Sequence, residues 1–396
     1  MLINSTLAKY LERSSWIRKM FEKGAELKKK FGPENVFDFS LGNPDLPPPQ
    51  NIVKALDEVK QKAKEPLGLG YLPNAGLMSL REKLAAYLSQ EQEVCLAPKH
   101  VILTCGAAGG LNVFLKTVLE PEDEVICFAP YFVEYGFYVA NHGGNFKVTP
   151  SKLPEFSLDL EGLAKEIGPK TRVVLLNSPN NPCGQVYSLE ELEAVAKLLE
   201  EKSKEYGRPV FLVADEPYRF LTYDGVKVPA ILSLSPWAVV ISSFSKSLGL
   251  AGERIGYIAV SPNLPKQELL LDGLILANRI LGFVNAPVIG QYLVLNSLEQ
   301  QVDTSLYARR RQILGDILTK AGLDVFWPKG GFYFFPKAPQ GKEDEFIQQL
   351  LANNVLAVPG KGFGCPGYVR FAFCVSEDVI QRAEEPILRA VEKTLD

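Results

Sequence analysis

Five short runs of this sequence hold only apolar residues, and each is followed at once by residues that are small, polar or ionisable. The runs are Val101-Ile102-Leu103, Val125-Ile126-Cys127-Phe128, Val173-Val174-Leu175-Leu176, Val210-Phe211-Leu212-Val213 and Val239-Val240-Ile241. A strand with one wet face alternates apolar and polar side chains, whereas a run without inner polarity fits a strand covered on both faces. Helical stretches separate the runs, so the pattern predicts an α/β fold: a mostly parallel sheet between two helical layers. Sheets of this kind bind ligands beyond the carboxyl ends of their strands, and chemistry is sought there.

Outside this centre the pattern changes. Leu7, Leu11, Ile17, Met20 and Phe21 recur near helical spacing, which predicts an amphipathic opening helix over 3–30. Gly42-Asn43-Pro44 and Pro47-Pro48-Pro49 then break the chain into an extended crossing segment. Beyond residue 300, a charged helix from Tyr307 to Leu318 and mixed strands such as Gly331-Phe332-Tyr333-Phe334-Phe335 predict a smaller α+β unit. The expected division is an N-terminal helix and arm at 1–45, joined to a small unit at 296–396, around a large unit at 46–295.

Composition removes several classes of function. With 43 basic and 46 acidic residues the formal charge is −3, which leaves no electrostatic footprint for nucleic acid or an anionic membrane. No uncharged apolar stretch is long enough to span a bilayer, and residues 1–30 lack the apolar centre of a secretory signal. Six cysteines without a CxxC suggest free thiols in a reducing compartment, so the cytoplasm is expected. Two histidines, His100 and His142, are too few for a multi-histidine metal site, and no metal is expected.

The strand ends propose one ligand. Cys105-Gly106-Ala107-Ala108-Gly109-Gly110 opens an apolar helix and offers free backbone N–H groups to a phosphate, though such a turn also serves tight packing. Ser243, Ser245 and Arg254 can add hydroxyls and a cation. Lys246 follows a buried strand, where desolvation and Arg254 lower an amine's pKa as imine formation requires; considered alone it equally reads as a lysine opening a surface helix. Asp215 ends an apolar strand and needs a cationic or hydrogen-bonding partner, which a protonated pyridine ring supplies and which a helix cap or a salt bridge would supply as well.

Asn181-Pro182-Cys183-Gly184, Asp215-Glu216-Pro217-Tyr218, Ser243-Phe244-Ser245-Lys246 and Gly252-Glu253-Arg254-Ile255-Gly256 resemble, in order and spacing, the motifs of class I/II aminotransferases. These belong to the fold-type I pyridoxal-phosphate enzymes, and the resemblance extends over residues 40–375. It implies pyridoxal 5'-phosphate as cofactor, an amino acid and a 2-oxo acid as substrates, and a homodimer with shared active sites. By it, Lys246 holds the cofactor as an imine and shuttles the Cα proton. Asp215 pairs with the ring nitrogen, and Tyr218 and Asn181 bind the ring oxygen. Gly106, Ala107, Ala108, Ser243, Ser245 and Arg254 form the phosphate cup, Phe132 stacks on the ring, and Tyr71 reaches the partner subunit's phosphate.

Toward substrate, the resemblance implies that Arg370 clamps the α-carboxylate, with Gly42 and Asn181 nearby. Arg279 lies one residue out of register from an arginine that reads acidic side chains in the aspartate enzymes, and it reads equally as an interface salt bridge. Two departures stand out: Cys183 replaces the usual threonine, and Phe132 replaces a tryptophan. The same motifs serve carbon–sulfur β-lyases and aminocyclopropane-carboxylate-type synthases, and a cofactor-binding regulator without turnover is a further alternative.

Overall fold

The computed structural model describes the chain except residues 1, 5, 6, 9 and 12–15, and except the side chains of 16–19 and 21. Twelve strands occur among the described residues. Strand β1 (Phe37–Asp38) precedes the seven of the main sheet: β2 (Val101–Thr104), β3 (Glu124–Ala129), β4 (Asn145–Pro150), β5 (Thr171–Asn177), β6 (Phe211–Asp215), β7 (Ala238–Ser243) and β8 (Gly256–Val260). Their order is β2-β8-β7-β6-β5-β3-β4, and every pairing is parallel except those of β8 with its two neighbours.

The apolar runs are explained by what covers them. Within one strand, alternate residues enter opposite cores: Val101, Leu103, Val174 and Leu176 pack on one face, and Ile102, Val173 and Leu175 on the other. Side chains alternate across a strand, so two dry faces require two apolar sets and leave no place for polarity. The chain is therefore an α/β protein with three layers. The helix Leu189–Tyr206 shows how locally such layers are specified. The Ser188 hydroxyl accepts from Glu191 N at 3.2 Å, the Glu191 carboxylate accepts from Ser188 N at 2.8 Å, and Gly207 ends the helix at φ 62°.

Four short strands follow: β9 (Tyr333–Phe334), β10 (Val355–Leu356), β11 (Val358–Pro359) and β12 (Val369–Ala372). β12 lies between β11 and β9, antiparallel to both, while β1 pairs parallel with β10. Phe37 and Phe39 thereby enter a core built mainly from residues beyond 300.

Two expectations need correction. The sheet has seven strands where five were read: β4 is an edge strand whose polar residues hide it, and β8 follows directly on the arginine-containing turn. The apolar stripe of the opening helix covers only its later part: Met20 and Leu27 pack with Val36 and Leu356, whereas Leu7 and Leu11 are 54% and 57% exposed. The side chains of Ile17 and Phe21 lie outside the described residues, and the helix that contains them runs Trp16–Phe31.

Candidate active site

The reversal of β8 assembles one wall of the site. Gly256 opens β8 opposite Thr104, the end of β2, and opposite Ser243, the end of β7. A Cβ at Gly256 would stand 2.5 Å from Ser242 O and 2.7 Å from Gly106 C, so only glycine lets the turn after β2 lie this close to the sheet. That turn starts the helix Gly106–Val118, whose first N–H groups have no partner within the helix. Ala107 and Ala108 face a cavity of about 380 Å³, together with Ser243, Ser245 and Arg254. Arg254 donates to Ala251 O at 3.0 Å from the rim, and Gly106 lies beneath its guanidinium. Such a set of N–H groups, hydroxyls and a guanidinium has the chemistry that an anion requires.

Lys246 enters the same cavity from the helix Phe244–Ser247 and donates to Gly42 O at 2.6 Å. Burial lowers its amine to about 8, against the pull of the Cys374 thiol and with help from Arg370 and Arg254. Asp215, at the end of β6, accepts from Tyr135 Oη at 2.6 Å through one carboxylate oxygen, while Oδ1 is buried without a partner. Burial pushes this carboxyl up to about 6, and the Tyr135 hydrogen bond opposes that rise. A buried oxygen with no donor asks for one from a ligand.

Arg370, on β12, forms the opposite wall. Its Nη1 donates to Asn181 Oδ1 at 3.0 Å and its Nη2 to Ser40 O at 2.6 Å, whereas Nε is buried and unpartnered. Its guanidinium lies 4.7 Å from the Tyr333 ring centre and 4.8 Å from that of Phe363. Asn181 is fixed from behind, since its N–H donates to Asn177 Oδ1 at 2.7 Å. The Cys183 substitution leaves this turn intact: its thiol lies 3.1 Å from Asn180 Oδ1 inside an apolar pocket.

Of the residues singled out in the sequence, Gly42, Ala107, Ala108, Phe132, Asn181, Asp215, Tyr218, Ser243, Ser245, Lys246, Arg254 and Arg370 line this one cavity. Tyr71 and Arg279 do not; both are exposed, Tyr71 to 90%. Several lining residues had no role in the sequence reading: Leu111, Tyr138, Asn177, Pro217, Ala251 and Tyr333. Tyr135, behind Asp215, was also passed over. Asn177 stood in a flagged strand end, and Tyr135 follows Phe132 by three residues at the start of a helix. Tyr333 sits in a fully buried aromatic run, where no periodicity separates a site residue from core.

The group implied by the motifs can be tested against these atoms. A phosphorylated pyridine aldehyde needs an anion cup, an amine of lowered proton affinity and an acceptor for a ring N–H. The wall at Ala107, Lys246 and the unpaired Oδ1 of Asp215 meet those needs within one cavity. Among the described residues no cluster of histidine, cysteine or carboxylate side chains could hold a metal ion.

Comparison with known proteins points the same way. Residues 34–387 match the family model described as aminotransferase class I and II. A probable aspartate/prephenate aminotransferase of Aquifex aeolicus is 30% identical over 382 residues, covering 91% of this chain and 92% of that protein. The aspartate/prephenate aminotransferase of Thermus thermophilus is 32% identical over 369 residues, covering 89% of this chain and 90% of its own. Among solved structures, an aminotransferase of Eubacterium rectale superposes with a TM-score of 0.95 at 36% identity, over 99% of both chains. The aspartate aminotransferase of Thermus thermophilus with maleate gives 0.86 at 28% identity, over 98% of this chain and all of the other.

Proposed function

The chain belongs to the class I and II aminotransferases, and from that premise we propose how its cavity residues divide the work. It is a pyridoxal-phosphate-dependent enzyme that moves an amino group between an α-amino acid and a 2-oxo acid. One observation carries the division of labour: an amine, an unpaired carboxylate oxygen and a guanidinium converge on a single cavity of about 380 Å³. When bound, the cofactor supplies an electron sink for negative charge at the substrate's α-carbon.

The residues do the rest. Lys246 attaches the cofactor and is the base that takes the proton from the α-carbon and returns it; its lowered proton affinity suits both tasks. Asp215 accepts the ring N–H through Oδ1. Asn181 spends its carbonyl on Arg370, which leaves its NH₂ to donate to the ring oxygen beside Tyr218. The N–H groups of Ala107 and Ala108, with Ser243, Ser245 and Arg254, would hold the phosphate. Phe132 covers the ring face. Arg370 takes the substrate α-carboxylate, and Gly42 closes the cavity against water.

The same reading makes the enzyme a cytoplasmic homodimer, in which residues 1–45 and 296–396 form the small unit against a cofactor unit at 46–295. All six cysteines are free, which suits a reducing compartment, and the pairing of β1 with β10 supports the division. Among the described residues of one subunit, the cations that line the cavity are Lys246, Arg254 and Arg370. A substrate carboxylate in the side-chain position calls for a further cation, and exposed Arg279 of a second copy is our candidate. The test is a donor panel of aspartate, glutamate, alanine and phenylalanine with a 2-oxo acid, in wild type and Arg279→Ala. Each productive donor yields one 2-oxo acid and one new amino acid; pyruvate with free ammonia would mean elimination instead. Arg279→Ala selectively weakens the acidic donors, by roughly 2–5 kcal/mol of barrier, and equal losses for all four would remove its role.

A further inference from the structure

The Tyr333 hydroxyl touches three features of the site at once. It lies 2.8 Å from the Tyr218 hydroxyl. It lies so close beneath Gly42 that a Cβ there would come within 1.9 Å of its oxygen. Its ring carries the Arg370 guanidinium at 4.7 Å. Pairing of Ala372 on β12 with Tyr333 on β9 fixes this placement from the backbone, and Tyr333 is only 2% exposed.

Two hydroxyls that share one contact hold two protons, and only one of these lies between the oxygens. The other must point elsewhere, and which tyrosine keeps it decides what the cavity receives. Among the described residues, neither hydroxyl has a second hydrogen-bond partner. The arginine above the Tyr333 ring favours negative charge on that ring, whereas Tyr218 packs edge-on against Phe332 and Tyr333. Burial raises both hydroxyls and Arg370 opposes the rise at each, but it is the Tyr333 ring that carries the guanidinium on its face, at 4.7 Å. The stronger acid is the better donor, so the shared proton belongs to Tyr333.

We propose that Tyr333 is a positioning residue: it donates to Tyr218 and so turns the Tyr218 proton toward the cofactor's ring oxygen, linking that contact to the arginine that holds the substrate carboxylate. The proposal rests on the reading of Tyr218 given above. A donor at the ring oxygen stabilises negative charge there and lowers the proton affinity of the adjoining nitrogen. Without Tyr333 to orient it, the Tyr218 proton is shared among other directions and that effect weakens.

The experiment is a pH titration of the bound cofactor's visible absorption band in four holoenzymes: wild type, Tyr333→Phe, Tyr218→Phe and the double variant. Tyr333→Phe keeps the ring under Arg370 and removes one oxygen. Its band midpoint should move up by about half a pH unit to one unit, Tyr218→Phe should move it further, and the double variant should match Tyr218→Phe alone. The KM of the best amino acid donor should stay within about threefold in Tyr333→Phe, since the ring under the arginine is retained. An unmoved midpoint in Tyr333→Phe, or a shift that adds in full to that of Tyr218→Phe, overturns the proposal while leaving the Tyr218 reading intact. An unmoved midpoint in Tyr218→Phe overturns both. A rise in KM above about tenfold in Tyr333→Phe would assign the hydroxyl to Arg370 geometry and overturn the orienting role.

Discussion

Asp215 is held in a state that costs the protein stability and serves its chemistry. Its carboxyl is pushed up to about 6 by burial, with Tyr135 donating to one oxygen and nothing to the other. A folded-state value above the ordinary 3.8 means the native chain binds the proton more tightly than the unfolded one. The associated stability is complete below about 3.8 and is lost as pH rises through about 6. In cofactor-free protein, Asp215→Asn should therefore be more stable than wild type above pH 6, by about 2–3 kcal/mol, and this gain should vanish in acid. Denaturant unfolding at several pH values measures it. The same substitution removes the charge opposite the ring nitrogen, and turnover should drop roughly a thousandfold. Near-normal turnover would contradict the role of Asp215, and a pH-independent stability difference would contradict its raised proton affinity.

The arm at 40–45 has almost no structure of its own and is gripped from outside. Arg370 donates to Ser40 O, the Cys374 thiol to Leu41 O at 3.3 Å and Lys246 to Gly42 O, while Arg310 meets the Asp45 carboxylate with bonds of 2.7 and 2.9 Å. Three of these four grips come from residues beyond 300, so the arm is tied more firmly to the small unit than to the sheet. Asp45→Asn leaves the buried Arg310 without its counter-charge. It should cost about 1–3 kcal/mol of stability, below the full value for a buried pair because Asp45 keeps 32% exposure. The KM of every donor should rise about tenfold, with a smaller change in kcat; kinetics that leave KM unchanged would detach the arm from substrate binding. Such grips show where sequence reading stops. Five strands of the sheet were legible because burial on both faces erases polarity, and the catalytic strand ends were legible because scaffold loops rarely collect such residues. β4, with Val148 39% exposed at the sheet edge, carries the polar residues of a wet face and reads as loop. Arg310 meets Asp45, and Tyr333 meets Tyr218 and Gly42, from far along the chain, and no local pattern marks them.

At the scale of the whole molecule, the large unit carries apolar side chains that this chain leaves uncovered. Leu67 is 92% exposed, Tyr71 90%, Val53 61%, Ile280 57% and Met78 52%. Large exposed apolar side chains in such number suit a surface between copies. If Tyr71 acts across that surface, Tyr71→Phe and Lys246→Ala subunits, each impaired alone, should regain activity when refolded together. Equal mixing makes half of the dimers hybrid with one intact site each, so recovery should approach about a quarter of wild type. A fully active monomer in sedimentation would rule the arrangement out. The reversed strand β8 has a consequence for the life of the cofactor on the enzyme. Amino transfer runs in two halves, and between them Lys246 would no longer be bonded to the cofactor. Its residence then depends on the grip at its phosphate. That grip draws on three neighbouring strands at once, because the ends of β2 and β7 flank the start of β8.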